Sequence, residues 1–311
     1  MNRRDFIYQS ALTAGALALS TNSFGAISTG NQDVKLTILH TNDVHSRIEP
    51  FPANAAKNAG LGGVARRATL IKQIRAQEPN VLLLDAGDAF QGTPYFNFFG
   101  GELEFKLMTK LGYDAATLGN HDFDNGIAGF EKYLPEAKFP FLIANYDFKN
   151  NSLHKRFSPY QIFEKQGVKI GVFGIGIDFE GLVPEKLHGK TIYIDPIATA
   201  KEMVQELQRK KCDLIICLSH LGYKYAEKKV SDIILANEVS GIDLIIGGHT
   251  HTFLDQPLVS TNKEGFSSLI NQVGFAGINL GRIDYTFSKK KSATKVAASA
   301  SILIDGNFDN G

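Results

Sequence analysis

Short apolar runs recur along the chain at 36–39, 81–84, 115–118, 214–218 and 244–246. Their length, and the Val, Ile and Leu that dominate them, predict strands buried on both faces. The wider pattern predicts strands at 34–41, 81–86, 115–118, 141–147, 158–165, 168–175, 213–219 and 243–247. A closing group follows at 267–273, 280–287 and 299–304. Apolar residues spaced by three and four predict helices over 63–77, 103–111, 198–211 and 225–236, and Gly112 supplies a C-terminal stop for the second of these. The early alternation of strand and helix predicts parallel strands flanked by helices, and the closing strands predict antiparallel pairs. The class is therefore α/β with a mixed, α+β character.

The first 26 residues stand apart. Arg3 and Arg4 precede Asp5-Phe6-Ile7, a small apolar run covers 11–19, and polar residues follow. That run is shorter than the roughly 20 residues a membrane span needs. The pattern is that of a twin-arginine export signal, with cleavage near Gly25 or Ala26 and a periplasmic destination. A linker at 27–33, one folded domain at 34–304 and a flexible tail at 305–311 complete the expected organisation.

Composition narrows the partners. With 33 Lys and Arg against 32 Asp and Glu, the chain has no basic excess to steer it to polyanions, so no nucleic-acid polymer is expected as partner. Lysines at 228–229 and 289–291 read as solvated surface. Cys212 and Cys217 fall in one predicted strand, on opposite faces and about 16 Å apart. A disulfide spans about 4.4 to 6.8 Å between Cα atoms, so both are expected as buried free thiols.

The candidate chemistry lies where the apolar runs end. Asp43-Val44-His45 follows the first, Gly87-Asp88 the second, Gly119-Asn120-His121-Asp122 the third, Ser219-His220 the fourth and Gly248-His249-Thr250-His251 the fifth. In open α/β sheets this edge is where loops present side chains while the strands stay buried. Carboxylates with imidazoles suit divalent Zn, Mn or Fe, whereas a soft-metal site would use thiolates. Neither cysteine adjoins a motif. The set predicts two adjacent divalent cations.

The order of these motifs resembles that of the calcineurin-like metallophosphoesterases, and Gly119-Asn120-His121-Asp122-Phe123-Asp124-Asn125-Gly126 resembles their 5'-nucleotidase branch. The likeness runs from about Val34 to Ser288. It implies a four-layer sandwich, two mixed β-sheets flanked by helices, and makes 34–304 the catalytic domain. It also implies a ligand set: Asp43, His45, Asp88 and His251 for one cation, and Asp88, Asn120, His220 and His249 for the other, with Asp88 bridging.

Water held between two such cations loses its proton near neutral pH. The implied reaction is hydrolysis of a phosphomonoester by a metal-bridging hydroxide, with nucleoside 5'-monophosphates as the favoured class. His121 is implied to stand over the phosphate, stabilising the transition state or protonating the leaving oxygen, and Asp124 to hold its tautomer. Alternatives on the same core are a 2',3'-cyclic phosphodiesterase, a thiosulfohydrolase-like enzyme, a broad phosphatase, or the catalytic subunit of a split nucleotidase whose substrate-binding domain is separately encoded. Two positions depart from the pattern: Asp122 stands where many relatives have Glu, and His251 where several use Gln or Asn.

Other conspicuous residues receive plainer expectations. His40 belongs in the core or behind the site, and His154 and His188 in exposed polar loops. The aromatic run Tyr95-Phe96-Asn97-Phe98-Phe99 is expected to pack in the core, ahead of reaching a substrate base or partner domain. Arg66 and Arg67 are expected in surface ion pairs, and Asn145 resembles a family position near the site.

Overall fold

The computed structural model describes residues 33–288 and 294–309. The expected export signal and all but the last residue of the linker lie outside the described residues. Strands follow in the order β1 (Val34–Thr41), β2 (Val81–Asp85), β3 (Ala115–Ala116), β4 (Tyr146–Asp147), β5 (Tyr160–Lys165), β6 (Val168–Ile175), β7 (Ile192–Tyr193), β8 (Leu214–Ser219), β9 (Leu244–Gly247), β10 (Leu258–Thr261), β11 (Ser267–Asn271), β12 (Asn279–Phe287) and β13 (Thr294–Leu303).

Two of the sheets are large and mixed. One has the order β13-β12-β1-β2-β3 and the other β10-β11-β9-β8-β6-β5. β1 pairs parallel to β2 and antiparallel to β12, while β8 lies parallel to both β6 and β9. Alternate side chains sort to opposite faces of a strand, and the sequence obeys this closely. Leu36 and Ile38 of β1, Leu82 and Leu84 of β2, Leu214 and Ile216 of β8, and Leu244 and Ile246 of β9 fill the core between the sheets.

The intervening residues face helices. Leu39 and Leu83 pack with α1 (Val64–Gln77), through Leu70, Ile71 and Ile74. The short α2 (Pro94–Phe99) and α3 (Glu102–Leu111) follow, with Phe96, Phe105 and Met108 in the same cluster. Beyond α4 (Gly126–Tyr133) and α5 (Glu185–His188), the other sheet is covered by α6 (Pro196–Arg209) and α7 (Asp232–Glu238). Ile215 and Cys217 meet Val204, Leu207 and Leu235 there. The result is the four-layer sandwich, helix on sheet on sheet on helix. No described helix is long and apolar enough to cross a membrane.

Several expectations need correction. The 141–147 run is a strand only at Tyr146–Asp147. Upstream it changes partner at every step: Leu142 N donates to Ala116 O, Ile143 N to Ser158 O and Ala144 N to Gly174 O. Asn145 continues this stitch by bonding both backbone groups of Gly176 at 2.8 Å, so one apolar segment ties the two sheets together. The helix expected at 225–236 begins only at Asp232, because Ser231 takes an extended conformation and caps Ile234 N. Cys212 precedes β8 rather than lying in it, and both thiols are free and pack on the same helix-side cluster.

Single residues also move. His188 is half-buried and stacks flat on Phe179 at 4.4 Å, whereas His154 is exposed as expected. Arg66 does pair with Asp309, at 2.5 Å, but Arg67 is buried, 3% exposed, and lines a small, mainly apolar cavity with Asp85 and Glu104. In the aromatic run, Phe96 enters the core while Phe98 and Phe99 are exposed.

His40 is wholly buried and crosses between the sheets, its Nε2 accepting from Asn271 Nδ2 at 2.9 Å. Its antiparallel neighbour on β12 is Gly281, where a Cβ would stand 2.1 Å from the ring. Burial holds the imidazole neutral, with a pKa near 3 instead of 6.5. The unfolded chain takes up this proton as pH falls below about 6.5 and the folded one does not. Stability therefore declines between about pH 6.5 and 3, by up to about 1.4 kcal/mol per unit. His40→Gln is expected to flatten that slope, read as urea midpoints from pH 7 to 4; an unchanged slope would show that His40 is not its source.

Candidate metal centre

The five motifs converge at the carboxyl ends of β1, β2, β3, β8 and β9. One sheet supplies Asp43, His45, Asp88 and Asn120, and the other supplies His220, His249 and His251. The loops leave their strands sharply: Asp43, His45, Asp88, His249 and His251 all have φ between 50° and 71°. Backbone bonds carry the strand pairing into these loops, from Asp43 N to Gly87 O at 2.9 Å and from His45 N to Asp88 O at 3.0 Å. The Asp43 carboxylate then accepts from His249 N at 2.9 and 3.0 Å, joining the sheets at the site.

Two groups of potential ligands result, Asp43 with His45 and His251, and Asp88 with His220 and His249. In the first, His45 Nε2 and His251 Nε2 lie 2.9 Å apart and Asp43 Oδ1 is 3.5 Å from the latter. In the second, Asp88 Oδ2 is 3.1 Å from His220 Nε2, and Asn120 Oδ1 is 2.8 Å from His249 Nδ1. Asp88 Oδ2 is also 3.8 Å from His45 Nε2, so one carboxylate oxygen faces both groups. Gly119 permits this approach, since a Cβ there would meet Asp88 Oδ1 at 2.1 Å.

Tautomers follow from the opposite ring edges. Phe90 O lies 3.1 Å from His45 Nδ1, and Ala86 O lies 2.6 Å from His220 Nδ1. A carbonyl only accepts, so each Nδ1 carries a proton and each Nε2 faces inward, where a cation would take its lone pair. His220 Nε2 is buried and faces Asp88 Oδ2. Burial lowers His45, and it brings His249 down to about 4. Burial also opposes charge on His220, yet Asp88 and Asp43 pull it up to about 10. Two buried carboxylates thus call for positive charge at a point ringed by imidazole nitrogens, a donor set that suits divalent cations of intermediate hardness.

Beside these groups His121 Nδ1 lies 2.8 Å from Asp124 Oδ2, and the ring stands edge-on to His45 at 5.3 Å. The hydrogen bond to Asp124 raises its pKa above the ordinary value, against partial burial. His121, His45, His251, Arg47 and Phe275 line an open pocket of about 270 Å³.

Sequence reasoning missed the supports. The buried Asp122 carboxylate accepts N–H groups from Asp88, Ala89, Phe90 and Gly119 at 2.8–3.2 Å, fixing two motif loops at once. Asn42 bridges Val273 N and Gly274 O, and its amide also donates to Asp43 Oδ2 at 2.6 Å. Gln272 Nε2 donates to Gly248 O at 2.6 Å, and Asp232 accepts from Ser219 Oγ at 2.5 Å. Asp122 lies within the third motif and Asn42 adjoins the first, which is a usable signal; Gln272 and Asp232 had none.

Residues 36–253 match the calcineurin-like phosphoesterase family. The chain belongs to that family. It is 35% identical over 310 residues to a snake venom 5'-nucleotidase of Gloydius brevicauda, covering 91% of this chain and 50% of that protein. To a 5'-nucleotidase of Mus musculus it is 40% identical over 277 residues, 82% of this chain and 47% of that one. The structure of a 5'-nucleotidase precursor from Thermus thermophilus superposes with a TM-score of 0.79 at 33% identity, covering 88% of this phosphoesterase and 55% of its neighbour. The chain spans about half the length of these relatives. Its sequence aligns to one part of these 5'-nucleotidases.

Proposed function

We propose that this phosphoesterase is an exported phosphatase that cleaves phosphomonoesters, nucleoside 5'-monophosphates foremost, at two divalent cations. Asp43, His45, Asp88 and His251 would hold one, and Asp88, Asn120, His220 and His249 the other. The observation that carries this reading is Asp88 Oδ2 lying within 3.1 and 3.8 Å of imidazole nitrogens from two separate groups. When bound, the cations would supply an acidified water as nucleophile and neutralise charge on the phosphoryl oxygens.

The chain's own residues do the rest. Asp88 and Asp43 set the negative field, and His45 and His220 are held by Phe90 O and Ala86 O with their Nε2 atoms inward. His121 offers a proton from the pocket wall, and Asp124 fixes which ring nitrogen faces the substrate. Arg3 and Arg4 ahead of the apolar run support twin-arginine export to the periplasm. We extend the reading to a split arrangement, in which a separately encoded substrate-binding chain grips the nucleoside. Exposed Phe98 and Phe99, on the helix following the pocket residues Gln91 and Gly92, offer it an apolar foothold.

Turnover of AMP, UMP, a 2',3'-cyclic nucleotide, p-nitrophenyl phosphate and a thiosulfate conjugate tests this, before chelation, after it, and on readdition of Zn or Mn. The 5'-monophosphates are expected to be cleaved fastest and only with metal. Preference for the cyclic diester or the thiosulfate conjugate would move the reading to that alternative, and chelator-resistant turnover would end it.

A further inference from the structure

The candidate ligand His251 is oriented differently from its neighbours. His45 and His220 are each held from behind by a backbone carbonyl on Nδ1. Among the described residues no hydrogen bond reaches His251 Nδ1, and its side chain is 40% exposed. What lies against it is Phe275, with ring centroids 5.1 Å apart and planes 12° from parallel.

A flat ring face laid on an imidazole restricts the χ2 torsion that would tilt it, which an edge contact does not. Phe275 is itself braced: Phe253 and Phe51 meet it edge-on at 6.0 and 6.4 Å. Its loop is tied to both neighbouring motif segments, since Ala276 N donates to Asp43 O at 2.7 Å and Gly274 N to Thr252 O at 2.9 Å. The stack therefore has a fixed base from which to aim His251 Nε2 at the point shared with His45 and Asp43.

We propose that Phe275 is a positioning residue that sets the imidazole plane of His251 for a divalent cation, taking the place that a carbonyl occupies behind His45 and His220. The inference rests on His251 being a ligand, as proposed above. Supports just behind a ligand typically alter metal affinity about 10- to 100-fold, and the change belongs to one cation of the two.

Titration of the metal-free full chain with Co²⁺, followed by its visible d–d absorption, reads this without reference to turnover. Phe275→Leu keeps an apolar side chain but removes the flat face. It is expected to weaken one of two binding steps about tenfold and alter that cation's absorption, while Phe275→Tyr retains both. Unchanged binding by Phe275→Leu would overturn the proposal. So would equal weakening of both steps in both variants, which marks a damaged loop instead. His251→Ala separates the two levels: if it binds both cations like the parent chain, the ligand assignment fails, and this inference with it.

Discussion

Asp88→Asn is expected to strip at least one cation and to cut kcat/KM by about 10³-fold or more, the scale of loss when a charged group inside a water-excluded site is removed. The substitution is nearly isosteric, and an amide oxygen can still accept from His121 N, which Asp88 Oδ1 does at 2.8 Å. The loop is thus spared. What disappears is the charge on the atom both imidazole groups face. That charge is secure in the parent: burial pushes the carboxyl up, but His220, His45 and His121 together hold it well below the usual carboxylate range. Elemental analysis after gel filtration, with kcat/KM on a phosphomonoester, reads both effects. Two cations per chain and turnover within about tenfold of the parent would sink the bridging role.

His121→Ala is expected to keep its cations and lose about 10²- to 10⁴-fold in kcat on an unactivated ester, the usual contribution of a positioned acid. The substitution leaves the groups facing the cations untouched. The pH profile separates proton donation from simple contact. Asp124 raises the His121 pKa, so the protonated donor persists to higher pH and the rate declines only as pH rises through that value. Asp124→Asn is expected to bring the decline to lower pH. A p-nitrophenolate leaving group needs little protonation and should suffer least. Near-parent rates for His121→Ala on AMP would show that the proton comes from elsewhere.

The ligand-bearing loops were legible because each motif directly follows an apolar run, and such runs declare buried strands whatever their neighbours. Tertiary partnership was harder to read. The 141–145 segment is apolar like a strand, yet its hydrogen bonds go to three different partners in turn, and periodicity carries no trace of that. At 225–236 the apolar spacing continues upstream of the true start, while Ser231, the cap that sets it, sits inside the pattern. Arg67 reads as surface from its charge alone, but it lies one turn from α1's buried stripe of Leu70, Ile71 and Ile74. The site's supports bond mostly to backbone, as Asp122 and Gln272 do, and an acceptor or donor of that kind is available in any sequence.

The left-handed backbone at Asp43, His45, Asp88, His249 and His251 sets evolution a conflict. Side chains other than glycine give up about 1 to 2 kcal/mol there, so exchange for glycine relieves the backbone at each while erasing a donor atom. Heat resistance and turnover consequently pull in opposite directions at the same five codons, and a library screened on melting temperature alone would drift toward sturdier, inert molecules.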